Sequence, residues 1–243
     1  MIKLRPTEGT VPHRRGARYH IDVLTTGGAA IHAQLAAEMR LFYVDLKAKA
    51  RATEDAEDDW LGASARTDAA ELALKNAVRR LATEAKRADQ GDASLNAGKT
   101  IFPQGFGTVV APEGELLLKA LPGVYVRVAA FVGNPDIAGA VSALELAQKD
   151  LEDRLKDDAS ALAACNTCFA EEQEARRRIR EQLDSAHGRL RDFYKGRTHL
   201  AEDFFLREKK TRKPATADGS NAAPKAPAAP AATTPATPVA PTK

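Results

Sequence analysis

Apolar residues recur at alternating three- and four-residue spacings in two long stretches, separated by a stretch rich in glycine and proline. Between residues 29 and 90, one row carries Met39, Leu46, Trp60, Leu74 and Leu81, and a companion row carries Leu35, Phe42, Ala56, Ala63, Ala70 and Ala77. Such spacing gathers side chains onto one side of a helix, so the stretch predicts a single long helix. Its stripe has polar exceptions at Lys49, Thr53, Thr67 and Glu84, and one strong breaker, Gly62. A glycine inside a helix costs about 1 kcal/mol relative to alanine, which a long packed helix tolerates but which also marks a place for a bend.

The second stretch opens at Asn134-Pro135-Asp136, where an asparagine cap followed by proline at the first helical position signals a start. Its stripe runs from Ile137 through Leu144, Leu151, Leu155, Leu162, Cys165, Phe169, Ile179, Leu183 and Leu190 to Phe193 with no proline after the start. As one helix it spans about 85 Å at 1.5 Å per residue.

Residues 91–134 hold Gly91, Gly98, Gly105, Gly107, Gly114, Gly123 and Gly133 with Pro103, Pro112 and Pro122, and form the main connection. Inside it Leu118, Leu121, Tyr125, Val128 and Val132 keep helical spacing, predicting a short helix kinked near Pro122. The rival reading takes Val124, Val126 and Val128 as a strand, but no second strand is evident to pair with it. Thr198 to Lys209 predicts a last short helix. Residues 1–28 are punctuated by Pro6, Gly9, Pro12, Gly16 and Gly27-Gly28 and read as a basic irregular arm, with Tyr19, Ile21 and Val23 as a short extended segment. Residues 214–243 hold seven of the 13 prolines and read as an Ala/Pro-rich disordered spacer.

Two long helices of similar length, about 29–90 and 135–195, predict an antiparallel pair whose facing residue numbers sum to about 225. That register sets Thr53 opposite Glu172, Lys49 opposite Arg176, and Thr67 opposite Asp158, so polar exceptions meet polar exceptions. A bare hairpin leaves too much of Phe42, Trp60, Leu72 and Leu117 uncovered, so short helices or a second copy must cover them. The expected fold is all-α: an antiparallel pair of long helices with additional short helices, a helical bundle of coiled-coil character over 29–213.

Composition supports this. Aromatics make up 5% of the chain against 44% hydrophobic and 28% charged residues, which argues against a sandwich or barrel built on large rings. The net charge of +3 leaves 36 bases nearly balanced by 33 acids, too little to imply nucleic acid or an anionic membrane. No apolar signal-peptide core follows the N-terminus, and the run Leu116 to Val132 is broken by Lys119, Pro122 and Arg127, short of the roughly 20 residues a membrane span needs. With two cysteines and no export signal, a cytoplasmic location is expected.

Motifs with chemistry are sparse. Gly98-Lys99-Thr100 resembles the end of a phosphate-binding loop, but Ala93 stands where the pattern needs glycine and the preceding element is a helix, not a strand. Cys165-Asn166-Thr167-Cys168 lies inside a helix with no second ligand pair, which favours structural thiols. The five histidines, His13, His20, His32, His187 and His199, lack the paired Glu-x-x-His spacing of a di-metal bundle. An acidic run, Glu54, Asp55, Glu57, Asp58 and Asp59, and a basic run, Arg176, Arg177, Arg178 and Arg180, read as solvated faces or as partners of one another.

With the loop Phe102-Pro103-Gln104-Gly105-Phe106-Gly107 and the closing runs Leu190-Arg191-Asp192-Phe193-Tyr194 and Glu202-Asp203-Phe204-Phe205, residues 30 to 206 resemble bacterial long-helix bundle proteins of unknown function. The resemblance implies a long-helix bundle and supplies no activity, cofactor or site residue. The expectation is therefore a non-catalytic structural or protein-interaction bundle, with a protein partner or self-association, no membrane, and no catalytic, cofactor or metal residue assigned. The alternative is weak, sequence-independent nucleic-acid association through Arg14, Arg15 and Arg18 at one end of the chain and Lys209, Lys210, Arg212 and Lys213 at the other. An enzyme site in the glycine-rich connection has no residue set to support it.

Overall fold

The computed structural model describes residues 4–206. Two helices dominate it: α2, Ala30–Gly91, and α6, Pro135–Phe193. They pack along their length as an antiparallel pair, and among the described residues there is no strand. The shorter helices are α1, Thr10–Thr26; α3, Ala97–Ile101; α4, Gly107–Val110; α5, Gly114–Val128, followed by a 3-10 turn; and α7, Thr198–Glu202.

Start and stop signals act as the chain chemistry requires. The Asn134 side chain accepts hydrogen bonds from the backbone N–H groups of Asp136 and Ile137, with Pro135 at the first position of α6. α2 runs unbroken through Gly62. The 114–128 segment is a helix containing Pro122, so Val124, Val126 and Val128 are not a strand. The predicted 198–209 helix is α7, which ends at Glu202; residues 207–209, the basic segment to Lys213 and the 214–243 spacer lie outside the described residues.

The cross-helix partners Glu38 with Arg189, Lys49 with Glu171, and Thr67 with the Arg154 carbonyl all lie within about one and a half turns of the expected register. Thr53 does reach Glu172, and Lys49, set opposite Arg176 with Glu172 within a turn, pairs with the neighbouring Glu171 at 2.6 Å.

One expectation is corrected. Residues 10–26, read as part of an irregular arm, form a 17-residue helix packed on α2 and α6. Pro12 is its third residue, where the missing N–H has no intrahelical partner to lose. Gly16 is buried because Leu4 lies across it; a Cβ there would stand 3.4 Å from a Leu4 methyl. Gly27-Gly28 ends this helix.

Buried side chains form two separate clusters. One joins α2 from Ala70 to Ala85, the connection helices and α6 up to Leu151, with Leu117, Leu121, Val124 and Val128 of α5 at its centre. The other joins α1, α2 up to Leu46, α6 from Ala175, and Ala201 and Phe205. Between Leu151 and Glu172 no side chain of α6 is buried.

Candidate functional site

Opposite buried Ala63 and Thr67 of α2, the middle of α6 buries no side chain, because the short helices begin on either side of it. Lying on the α2/α6 pair, α1 and α5 make a third layer, and each is fastened at its first residue by a glutamate of the hairpin. The Thr10 hydroxyl donates to Glu172, which also takes Arg176 at 2.6 Å. The Gly114 N–H donates to Glu71 at 2.7 Å, and Glu71 also takes Lys75 at 2.6 Å. At α5 the carboxylate answers an unpaired N–H of the first turn, at α1 it takes the hydroxyl of the first residue, and in both cases it lies at the positive end of the helix dipole with its charge balanced by the base four residues on. Burial alone would raise both carboxyls; the Thr10 hydroxyl and Arg176 guanidinium at Glu172, and Lys75 and the Gly114 N–H at Glu71, outweigh it and hold both below the usual carboxylate range.

Helical spacing shows that the two anchors border one open trough. On α2, Glu54, Glu57, Leu61, Ser64, Asp68 and Glu71 follow at three and four residues and share a face. Glu54 lines a groove with Arg14 of α1, and Glu71 holds the start of α5, so the face is covered at both ends and bare between. On α6, Leu155, Ala159, Leu162, Asn166, Ala170 and Gln173 likewise share a face. Leu155 and Ala159 line a groove of about 630 Å³ beside Leu118 and Pro122 of α5, and Ala170 and Gln173 line one of about 310 Å³ beside Pro6. Between them Leu162 and Phe169 are 39% and 45% exposed, although both belong to the apolar stripe, and Leu61 across the seam is 54% exposed. The chain's single tryptophan, Trp60, is half-buried in that seam.

The trough is electrostatically one-sided. None of the acidic run Glu54 to Asp59 enters an ion pair among the described residues, whereas the basic run is paired on its own helix: Arg176 with Glu172, Arg177 with Glu174 and Glu181, Arg178 with Glu174. Arg178 also reaches Asp45 at 3.9 Å, and Arg180 stands 3.0 Å from His13. Mutual pairing of the two runs, one of the two readings from sequence, is thus replaced by pairs at three and four residues, the shortest route between opposite charges on a helix.

The other candidates fall in different places. Arg14 sits in the groove with Val44, Lys47, Ala50 and Arg51; Arg15 is exposed; Arg18 pairs with Asp22 at 2.9 Å; Lys209, Lys210, Arg212 and Lys213 lie outside the described residues. The N–H groups of Ala97 and Gly98, where a phosphate would sit, are already taken by the Asp89 carboxylate at 2.5 and 2.9 Å. Gly98 is explained by that contact, since a Cβ would meet Asp89 at 3.0 Å. Cys165 and Cys168 are free, half-buried thiols in the middle of α6.

What the sequence reading missed is three buried imidazoles at the α1 end, each with its own partners. His13, His20 and His32 are all buried. His13 donates from Nδ1 to the Gly9 carbonyl, and His20 from Nδ1 to the Phe204 carbonyl while stacking on Phe205. His32 lies 2.9 Å from the Tyr194 hydroxyl and packs so closely on Gly27 that no Cβ fits there. Burial lowers all three pKa values, against an opposing pull from the Gly9, Phe204 and Gly27 backbones respectively. The available signal was the spacing His13, Ala17, His20, Ile21, Leu24, masked by the flanking glycines and Pro12.

Among the described residues no helix is long and apolar enough to cross a membrane, and no three His, Cys, Asp or Glu side chains converge as a metal site would require. Comparison with known proteins finds no family model, no curated protein and no solved structure that matches.

Proposed function

We propose that this protein is a non-catalytic interaction bundle whose partner-binding surface is the trough between α1 and α5. The reading is carried by the exposure of Leu61, Leu162 and Phe169 where the two long helices lie uncovered between two closed cores. Apolar seam positions left open cost about 25 cal/mol for each Å² of surface kept in water, and in bundles they are ordinarily covered by a further helix. The test is capture from a lysate of the native cell with the full chain and with Leu162→Glu. Proteins retained by the first and lost with the second support the reading; identical retention, or none, overturns it.

A second reading, nucleic-acid association, is favoured by the gathering of Arg14 with Lys47 and Arg51 in one groove, three bases against the two acids Glu54 and Asp55. Because α1 belongs to the packed body, the test is substitution and not deletion. Gel-shift titration across salt with Arg14→Glu, Lys47→Glu and Arg51→Glu combined must abolish a salt-dependent shift seen with the unaltered chain. A shift that persists, or none at all, removes this reading.

A further inference from the structure

We infer that the trough seats a basic amphipathic α-helix from another protein, about five turns long, lying along α6 between Pro6 and the start of α5; this rests on the interaction reading above. Length is the first argument. From one covered end to the other, Leu155 to Gln173 on α6 and Glu54 to Glu71 on α2, the trough measures about 26 Å at 1.5 Å per residue, the length of a helix of about 18 residues. The walls supply the second. The row Leu155, Ala159, Leu162 and Asn166 on α6 is uncharged, with the opposite charges Glu152 and Lys156 at its α5 end, while the α2 wall carries Glu54, Glu57 and Asp68 around Leu61. A helix that fits both has an apolar row toward α6 and lysine or arginine along the flank facing α2.

Charge decides among occupants. On the face of α2 that borders the trough, Glu54, Glu57 and Asp68 are three carboxylates with no base among them. The bases of α6 beside the trough are already paired within their own helix: Lys156, in the groove at the α5 end, with Asp153, and Arg176 to Arg178 with Glu172 and Glu174. An acidic helix is therefore repelled. A second copy laid trough to trough sets the acidic α2 wall against its own image when the two-fold axis crosses the helices, and against the α6 wall when the axis runs along them; in neither arrangement does it meet a row of bases. A basic helix finds complementary charge and an apolar floor at once.

The probe is a synthetic 18-residue peptide without tryptophan, with leucine and alanine on one face and lysine along one flank, titrated into the full chain while Trp60 emission is followed. A saturable change is expected, at least tenfold tighter than with a scrambled peptide of the same composition. Glu54→Lys with Glu57→Lys, and separately Leu162→Glu, weaken binding at least tenfold. Asp59→Lys, in the same acidic run but on the other face of α2, changes it less than twofold. Equal binding of the scramble, or an equal effect of Asp59→Lys, reduces the attraction to bulk charge and overturns the proposal. A dimer by sedimentation that Leu162→Glu dissociates and the peptide does not displace assigns the trough to a second copy and also overturns it. So does binding that appears only when Lys209, Lys210 and Arg212 are changed to glutamate, which assigns the seat to this chain's own basic segment. If the peptide fails while lysate capture still depends on Leu162, the interaction reading stands with a different partner; if both fail, both fall.

Discussion

At the α1 end of the hairpin, three buried side chains are imidazoles; at the α5 end, every member of the buried cluster is apolar. Both ends use the same fastening, a glutamate from the hairpin at the first residue of a third-layer helix with a base four residues on. What differs is the filling. Apolar burial is indifferent to pH, whereas a buried imidazole is comfortable only while neutral. One architecture therefore contains an end whose stability is fixed by packing and an end whose stability follows proton concentration.

The comparison breaks most sharply by cutting packing at the α5 end. Leu121 is fully buried, and Leu121→Ala removes its contacts and leaves a cavity, a change that costs about 3 kcal/mol in well-packed cores. Chemical denaturation should show that loss, with amide exchange accelerating first in α5. Acceleration appearing equally in α1 would mean that the two clusters are not separate units.

Next in size are the fastenings. Glu172→Ala leaves the Arg176 guanidinium, 14% exposed, without its partner and frees the Thr10 hydroxyl, for an expected loss of about 2 kcal/mol. Glu71 is 18% exposed against 7% for Glu172, so Glu71→Ala removes a carboxylate that already reaches water more readily and should cost about 1 kcal/mol. Equal losses measured by urea denaturation would contradict this ranking.

Acid separates the ends without mutation. The imidazoles of His13, His20 and His32 titrate below 6.5 when folded, so an unfolded α1 end binds protons that the folded end refuses. Stability from this source is complete above about pH 6.5 and falls as pH drops from there toward the folded values. Glu172 and Glu71 titrate below 4.5 when folded, so their contribution persists to lower pH and is lost only as pH falls through the carboxylate range. Hydrogen exchange at pH 7.5 and 5.5, corrected for intrinsic rates, should show α1 losing protection severalfold while α5 keeps it. His20→Phe, which retains a ring against Phe205 without an ionisable nitrogen, should flatten part of the response. Loss of protection at both ends, or at neither, would remove the distinction.

How much of this was readable beforehand depends on the range over which each feature is determined. The long helices, the Asn134 start and the antiparallel register were legible because periodicity and capping are written in contiguous residues. The trough was half legible: the acidic run and the stripe positions Leu162 and Phe169 were visible, but their exposure depends on where α1 and α5 stop. That in turn depends on the anchors Glu172 and Glu71, contacts spanning 162 and 43 residues. Helix α1 was hidden because Gly9, Pro12 and Gly16 are turn formers in isolation. Gly16 is buried under Leu4, a contact with a residue outside the helix that the helix's own sequence does not show.

The smallest predicted effect concerns the trough itself. Gly62 lies beside Leu61 in unbroken helix, and a Cβ added to it would meet only the Arg66 guanidinium at 3.5 Å, ordinary van der Waals distance. With no close contact and no left-handed backbone to require glycine, the residue contributes only its unfolded-state entropy. Gly62→Ala should therefore stabilise the chain by about 0.5 to 1 kcal/mol, a rise in Tm of about 2 °C for a body of this size. Asp55, Asp59, Gly62 and Arg66 share the face of α2 opposite the trough, so the substitution should leave Trp60-monitored peptide binding unchanged. A fall in Tm, or a loss of binding with stability gained, would show that the α2 wall must bend at Gly62 to receive its partner, and that the open stretch is shaped by flexure as well as by the two closed ends.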